Sequence, residues 1–230
     1  MPTRRRAFLS GAGAMVPILL GDTPFALLAG IAAIKVGFTK LEALAMSYIV
    51  FAGASQLAAI ELVGRHTSAV VVILTALLIN LRLGMYSASL APHFAELPLG
   101  WRGILAYFLT DEGYALSISA YNDGRLQFKH WFYLGGSLLL WSVWVVGTLT
   151  GAIVGGRIPQ GWSLEFAVPL TFLALLFPTI SDRPTLVAAA CAGALAIAAH
   201  GLPYNLGLLL ATLGGILGGC LTEGRRNDAA

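Results

Sequence analysis

Apolar runs long enough to cross a bilayer recur along nearly the whole chain, and nothing else in the sequence limits the fold so tightly. A crossing helix needs about 20 apolar residues. The stretches 8–37, 43–63, 68–91, 101–121, 131–155, 163–180, 184–200 and 203–221 meet or approach that length. Hydrophobic residues make up 57% of the chain and charged residues 11%, where a soluble domain carries about 25% charged residues. With a mean hydropathy of +0.80, most of the surface must have lipid as its solvent. The runs are apolar on every side and longer than the ~10-residue alternating strands of a membrane barrel. The predicted fold is therefore all-α: a polytopic membrane helical bundle of seven or eight transmembrane segments with broken helices, forming one permease domain over 1–230. An inverted repeat is compatible with that count but is not legible in the residues.

Basic residues set the expected topology, because cytoplasmic loops are enriched in them. Eight crossings with both termini cytoplasmic put Arg4, Arg5, Arg6, Arg65, Arg125, Lys129, Arg183, Arg225 and Arg226 inside. They leave Lys35, Lys40, Arg102 and Arg157 outside, with Arg82 near a boundary. Seven crossings follow if the first or last run does not cross. The stretch Arg4–Ser10 has the look of a twin-arginine export signal. Pro17 and Asp22 in the run behind it, and the further spans, make it a cytoplasmic anchor instead.

Several function classes are excluded at this stage. The longest polar stretches are about ten residues, as at Tyr121–His130, too short for a separate catalytic domain. No GxxxxGK[ST] phosphate loop is present, so neither an ATP-driven pump nor a nucleotide cofactor is expected. Cys191 and Cys220 lack metal-ligand spacing. The net charge of +3 is spread singly between apolar runs and does not suggest nucleic acid. HExxH is absent, and the four histidines fall near span ends, so an intramembrane enzyme is not expected.

Polar residues inside lipid are costly and mark either a pathway or a tight contact. In Gly21–Gly30, Asp22 and Thr23 are placed to cap a half-helix restarting at Pro24, whose free N–H groups would suit a carboxylate; an interfacial turn is the competing reading. In Phe51–Leu62, Gly53 and Ser55 allow a bend whose exposed carbonyls suit an amino group. Gln56 alternatively serves as glue between helices, and Glu61 faces solvent or pairs with Arg65 four residues on. Asn80 and Arg82 point about 200° apart on a helix, so they cannot serve one site unless the helix breaks. Arg82 either snorkels to headgroups, pairs with a carboxylate of another span, or grips a substrate carboxylate. Asp111 and Glu112 fall in the middle of a run. One is placed to pair with Arg82, and the other to face an aqueous cavity and carry protons; a purely structural ion pair is the competing reading. Gly147–Gly155 and Gly214–Gly219 hold small-residue spacings that permit close helix association, within the chain or with another subunit.

Four of these stretches, in this order and spacing, carry a family resemblance. "GDTPFALLAG", "FAGASQLAA", "LLINLRLGMYSASLAP" and "LTDEGYALS" together resemble the AzlC-type large subunits of branched-chain amino acid exporters, strongly over about residues 10 to 125. The resemblance implies a bacterial inner-membrane permease that works with a small AzlD-type membrane subunit. It further implies export of leucine, isoleucine, valine and sometimes methionine, driven by the proton gradient as an antiport, with no cofactor. The position after Arg82, often His in that family, is Leu83 here, so a proton-transfer role for that histidine does not carry over. On this reading Asp22, Thr23, Pro24, Gly53, Ser55, Gln56, Asn80 and Arg82 are the substrate-binding candidates, and Asp111 and Glu112 couple protons.

Overall fold

The computed structural model describes residues 3–122, 126–156, 180, 182–201 and 206–227. The chain divides into two compact units, 1–164 and 165–230. The described residues of the first unit form α1 (Arg4–Lys35), α2 (Lys40–Ile49), α3 (Gly53–Gly64), α4 (Ala69–Leu90), α5 (Leu99–Tyr107), α6 (Asp111–Asn122) and α7 (Lys129–Gly155), with a 3-10 turn at Ala91–Phe94 after α4. Among the described residues, Arg4–Lys35, Ala69–Phe94 and Lys129–Gly155 are long and apolar enough to cross a bilayer.

The axis of this unit is the pair α1 and α7. Glycines set how close the two helices come. A Cβ at Gly11 or Gly30 would fall on the carbonyl oxygen of Phe132 or Thr148, and one at Gly135 or Gly151 on that of Phe8 or Leu27. Residues early in α1 meet residues early in α7, so the two helices run parallel. The Gly147–Gly151–Gly155 spacing thus packs inside the chain.

Neither the 43–63 run nor the 101–121 run is a crossing helix; each breaks in its middle and turns back. In the first, Ala43 on α2 and Ile60 on α3 share one apolar cluster with Ala33 and Ala152 near the late ends of α1 and α7. Gly64 ends α3 against Val36. The turn between the two helices lies deeper, where Gly53 packs against Trp144. The hairpin α2–α3 therefore enters and leaves at the late end of α1. The second hairpin, α5–α6, does the same from the other end. Trp101 packs on His130 and Trp131 at the start of α7. Tyr121 near the end of α6 donates to the Lys129 carbonyl at 2.8 Å. Its turn reaches Trp141, whose indole N–H donates to the Tyr107 hydroxyl at 3.0 Å.

The two hairpins meet tip to tip halfway along α7. Phe51 packs on Tyr107 and Phe108, with ring centroids 6.4 and 6.5 Å apart, and the Tyr107 hydroxyl donates to the Tyr48 carbonyl at 2.7 Å. Phe51 has φ 36, a left-handed conformation that bulky residues avoid, held here by those ring contacts. Helix α4 runs antiparallel to α1 and α7. It starts beside the first hairpin and ends where His93 Nδ1 lies 2.9 Å from Lys129 Nζ.

Two expectations are corrected by this arrangement. The topology count placed Arg102 opposite Arg4–Arg6, and Arg65 opposite Lys35 and Lys40. The hairpins bring Arg102 to the end of Arg4, Arg5, Arg6 and Lys129, and Arg65 to the end of Lys35 and Lys40. The half-helix expected after Gly21 is absent, because α1 continues through both Pro17 and Pro24. A proline removes one helix hydrogen bond, but hydroxyl side chains and neighbouring helices make up for such losses inside membranes. Here the Thr23 hydroxyl donates to Leu19 O at 2.7 Å, and contacts to α7 hold the helix on both sides of Pro24.

Sidedness labelling tests the hairpins. With Cys191 and Cys220 replaced by serine, Thr3→Cys, Gly100→Cys and Gln127→Cys should react with an impermeant maleimide from one face of the membrane, and Lys40→Cys and Arg65→Cys from the other. Opposite labelling of Lys40→Cys and Arg65→Cys would restore a full crossing at 43–63, and opposite labelling of Gly100→Cys and Gln127→Cys one at 101–121.

In the second unit, α8 (Arg183–Ala198) and α9 (Leu206–Asn227) pack antiparallel. Gly215 meets Ala192 and Ala188, and Gly218 meets Cys191, so the glycines of 214–219 are also used within the chain. At 16 residues α8 is shorter than the ~20 of a straight crossing. The expected run 163–180 lies outside the described residues except for Ile180, as does most of the connection at His200–Asn205.

Candidate functional site

Broken helices place backbone ends and polar side chains at the middle of the bundle. The α2–α3 break is fixed by a sealed polar network. Gln56 donates from Nε2 to Ser47 Oγ at 3.0 Å, Ser47 donates to Thr148 Oγ1 at 3.0 Å, and the Trp144 indole N–H donates to Gln56 Oε1 at 3.2 Å. Ser47, Gln56 and Thr148 are wholly buried. Both ends of the Gln56 amide are thus occupied, and the residue ties α2, α3 and α7 together. Ser47, Trp144 and Thr148 were not singled out in the sequence; only the need of a mid-run amide for partners pointed to them. Gln56→Leu should lower the melting temperature of the purified protein by an amount corresponding to about 1–3 kcal/mol, because Trp144 would keep a buried N–H with no acceptor. An unchanged melting temperature would show the network to be dispensable.

Ser55, also wholly buried, donates to Ala52 O at 3.0 Å and accepts from Asn80 Nδ2 at 3.1 Å. Helix α3 begins without a side-chain cap or an acidic residue in its first turn. The backbone at Gly53 leaves no room for a side chain: a Cβ there would lie 2.6 Å from the Trp144 ring.

Helix α6 begins differently. Thr110 Oγ1 accepts from the Gly113 N–H at 3.1 Å, and Asp111 and Glu112 occupy the first turn, where the helix dipole favours negative charge. Two carboxylates that look forbiddingly expensive in the middle of a span are less so at a helix start. Arg82 on α4 donates from Nη2 to Asp111 Oδ2 at 2.9 Å, with side chains 33% and 36% exposed. Arg82 Nε and Asp111 Oδ1 are buried with no hydrogen-bond partner. The pair is thus partly open and has unused donor and acceptor capacity. Tyr86 lies against Asp111 and stacks on Tyr114 at 4.3 Å.

Helix α4 is unbroken between Asn80 and Arg82, so the two residues serve different neighbours: Asn80 serves α3 and Arg82 serves α6. Asp22 lies in the interior of α1, within electrostatic reach of Glu112 and Asp111. Thr23 is spent on its own helix and Pro24 is exposed. The structure thus gathers Asp22, Arg82, Asp111 and Glu112, places Gly53, Ser55, Gln56 and Asn80 at the neighbouring hairpin tip, and leaves Thr23 and Pro24 outside both groups. Glu61 pairs with Arg65 at 2.9 Å, as their spacing predicts. No cluster of metal-ligating side chains occurs among the described residues.

Long apolar helices, two helical hairpins inserted from opposite ends and a charged cluster between them define a polytopic helical membrane protein. The chain belongs to the AzlC family, whose model, described as AzlC protein, matches residues 17–158. It is 30% identical over 223 residues to the inner membrane protein YgaZ of Escherichia coli (strain K12), covering 94% of this chain and 89% of that one. An uncharacterized membrane protein of Archaeoglobus fulgidus is 34% identical over 206 residues, covering 87% and 89%. One from Helicobacter pylori (strain 26695) is 32% identical over 174 residues, covering 74% of each chain. No solved structure matches.

Proposed function

We propose that this chain is the large subunit of a secondary transporter that exports branched-chain L-amino acids from the bacterial cytoplasm, coupled to protons and assembled with a small AzlD-type membrane subunit. The observation that carries this reading is the partly open Arg82–Asp111 pair, held between hairpins that enter from opposite ends. A zwitterion needs one anionic and one cationic or dipolar partner. Asp111 suits its ammonium group, and Arg82 suits its carboxylate with the help of the uncapped start of α3 at Gly53 to Ser55. Asn80 holds that start through Ser55, and Gln56 fixes the bend. The aromatic tips at Phe51, Tyr107 and Phe108 offer apolar surface to a branched side chain.

The segments α1–α3 and α4–α6 read as two inverted repeat units, each a long helix followed by a hairpin. Their hairpin helices match in length, 10 and 12 residues against 9 and 12. Such repeats support alternating access about a site at their interface. The end that gathers Arg4, Arg5, Arg6, Arg102 and Lys129 is the cytoplasmic one by the basic-residue rule.

Cells lacking the chain and its small partner, fed valine- or leucine-containing dipeptides, should retain several-fold more free valine or leucine than the parent. Expression of both subunits should reverse this. Unchanged retention would remove branched-chain amino acids as the substrate.

A further inference from the structure

The cluster at the start of α6 holds more negative charge than positive. Asp22, Asp111 and Glu112 lie within reach of one another, and Arg82 is the basic side chain that pairs with them among the described residues. Uncompensated charge inside a membrane is costly, so the balance calls for a proton.

The three carboxylates differ in what supports their ionised form. Asp111 has Arg82 at 2.9 Å. Glu112 sits in the first turn of α6 beside the Thr110 hydroxyl, where N–H groups and the helix dipole favour an anion. Asp22 is in the interior of the 32-residue α1, far from either helix end, and no ion pair reaches it among the described residues. Its electrostatic neighbours are the other two carboxylates. From α4 come Arg82 and Tyr86, which contact Asp111, with Tyr114 of α6 stacked behind. The charged groups of α2, α3 and α7, namely Lys40, Glu42, Glu61, Arg65 and Lys129, lie at the ends of those helices. From α7 comes Ser137, 1% exposed, whose hydroxyl lacks a hydrogen-bond partner and lies 2.9 Å from where a Cβ on Gly113 would sit. A buried hydroxyl with unused capacity beside the first turn of α6 provides a relay position for a proton or a water.

We propose that Asp22, on α1, is the proton-carrying group of the site, while Asp111 stays ionised, paired with Arg82 or with the substrate's ammonium group, and Glu112 stays ionised at the start of α6. The Asp22 carboxylate takes a proton from water at one face and returns it at the other, with its O–H donating towards Glu112 in between. This rests on the proton-coupled reading above and moves the carrier from α6 to α1.

Two measurements on the full-length chain in lipid test it. Infrared difference spectra between acidic and alkaline buffer, taken in nanodiscs, should show a protonated-carboxyl band that is absent from Asp22→Asn and present in Glu112→Gln. A band missing from the wild type, or persisting in Asp22→Asn, overturns the assignment. In vesicles, Asp22→Asn should lose L-valine accumulation driven by a pH gradient by about ten-fold or more, and Asp22→Glu, which keeps a titratable carboxyl at that place, should retain a substantial part of it. Drive that survives in Asp22→Asn, from protons or from sodium, also overturns it. Wild-type vesicles without L-valine exchange would sink the substrate reading alone, and the infrared result would still decide on Asp22.

Discussion

Arg82→Gln is expected to abolish most transport and to weaken the fold, and removing both charges of the pair should separate the two effects. Removing the guanidinium strands the Asp111 carboxylate, whose Oδ1 already lacks a partner. Breaking a fully buried pair by removing one member costs roughly 3–5 kcal/mol. With both side chains about a third exposed, roughly 1–3 kcal/mol is the better expectation. The double variant Arg82→Gln, Asp111→Asn removes both charges and should recover most of that stability. It should not recover transport. A charge-assisted hydrogen bond to a substrate carboxylate contributes about 1.5–3 kcal/mol, so its loss should slow L-valine exchange by roughly ten- to hundred-fold. Arg82→Lys keeps the charge but not the two-pronged geometry and should fall between. The measurements are the melting temperature in detergent and exchange rates in vesicles. An Arg82→Gln protein that exchanges L-valine at the wild-type rate would remove the ion pair from the mechanism.

What the sequence revealed here followed from cost. Asp111, Glu112 and Arg82 are conspicuous because charge within an apolar run has to be compensated, and the Arg82–Asp111 contact was one of few ways to do so. The glycine spacing in 147–155 was legible for a similar reason, since glycine is wasted in a helix unless another backbone comes close. The hairpins were not legible. Hydropathy measures whether a stretch tolerates lipid, and a stretch that turns back halfway tolerates it as well as one that crosses. The turn at Phe108–Thr110 contains neither Gly nor Pro, and the one at Val50–Ala52 is made by a phenylalanine at positive φ. Pro24 carried the stronger break signal, yet α1 absorbs it through Thr23 and its long contact with α7. The misplaced basic residues are a consequence of the same error: taking the first hairpin for a crossing moves Arg65 and Arg102 to the wrong side, and taking the second for one puts Lys129 back on the right side.

The hairpins also change what the charged cluster means. In a plain crossing helix, Asp111 and Glu112 would have to be compensated entirely by other spans. At the start of a half-helix they are supported by their own backbone, which frees Arg82 to exchange partners. The ion pair can then be opened by a substrate without leaving a bare carboxylate in lipid.

The other large effect concerns the α1–α7 seam, where replacing a glycine should give opposite outcomes according to position. Gly151→Leu is expected to prevent the chain from accumulating in the membrane. Even a Cβ at this position would fall on the Leu27 carbonyl oxygen, and backbone cannot step aside as a flexible side chain can. Gly30→Leu should behave alike, since its Cβ would meet the Thr148 carbonyl on the opposite wall. Overpacking a well-filled core costs about 1–3 kcal/mol when side chains can yield, and more when they cannot. Forcing the two helices apart would also pull Thr148 away from Ser47 and open the polar network that fixes the α2–α3 break. Gly13, on the same α1 helix, has nothing within 4 Å of where a Cβ would sit. Gly13→Ala should therefore be neutral or stabilising by up to about 1 kcal/mol, through helix propensity alone. Membrane abundance and monodispersity of fluorescent fusions, compared across the three variants, check this. Normal accumulation of both Gly151→Leu and Gly30→Leu would mean that the two helices are not held at backbone contact, and the seam that orients both hairpins would have to be redrawn.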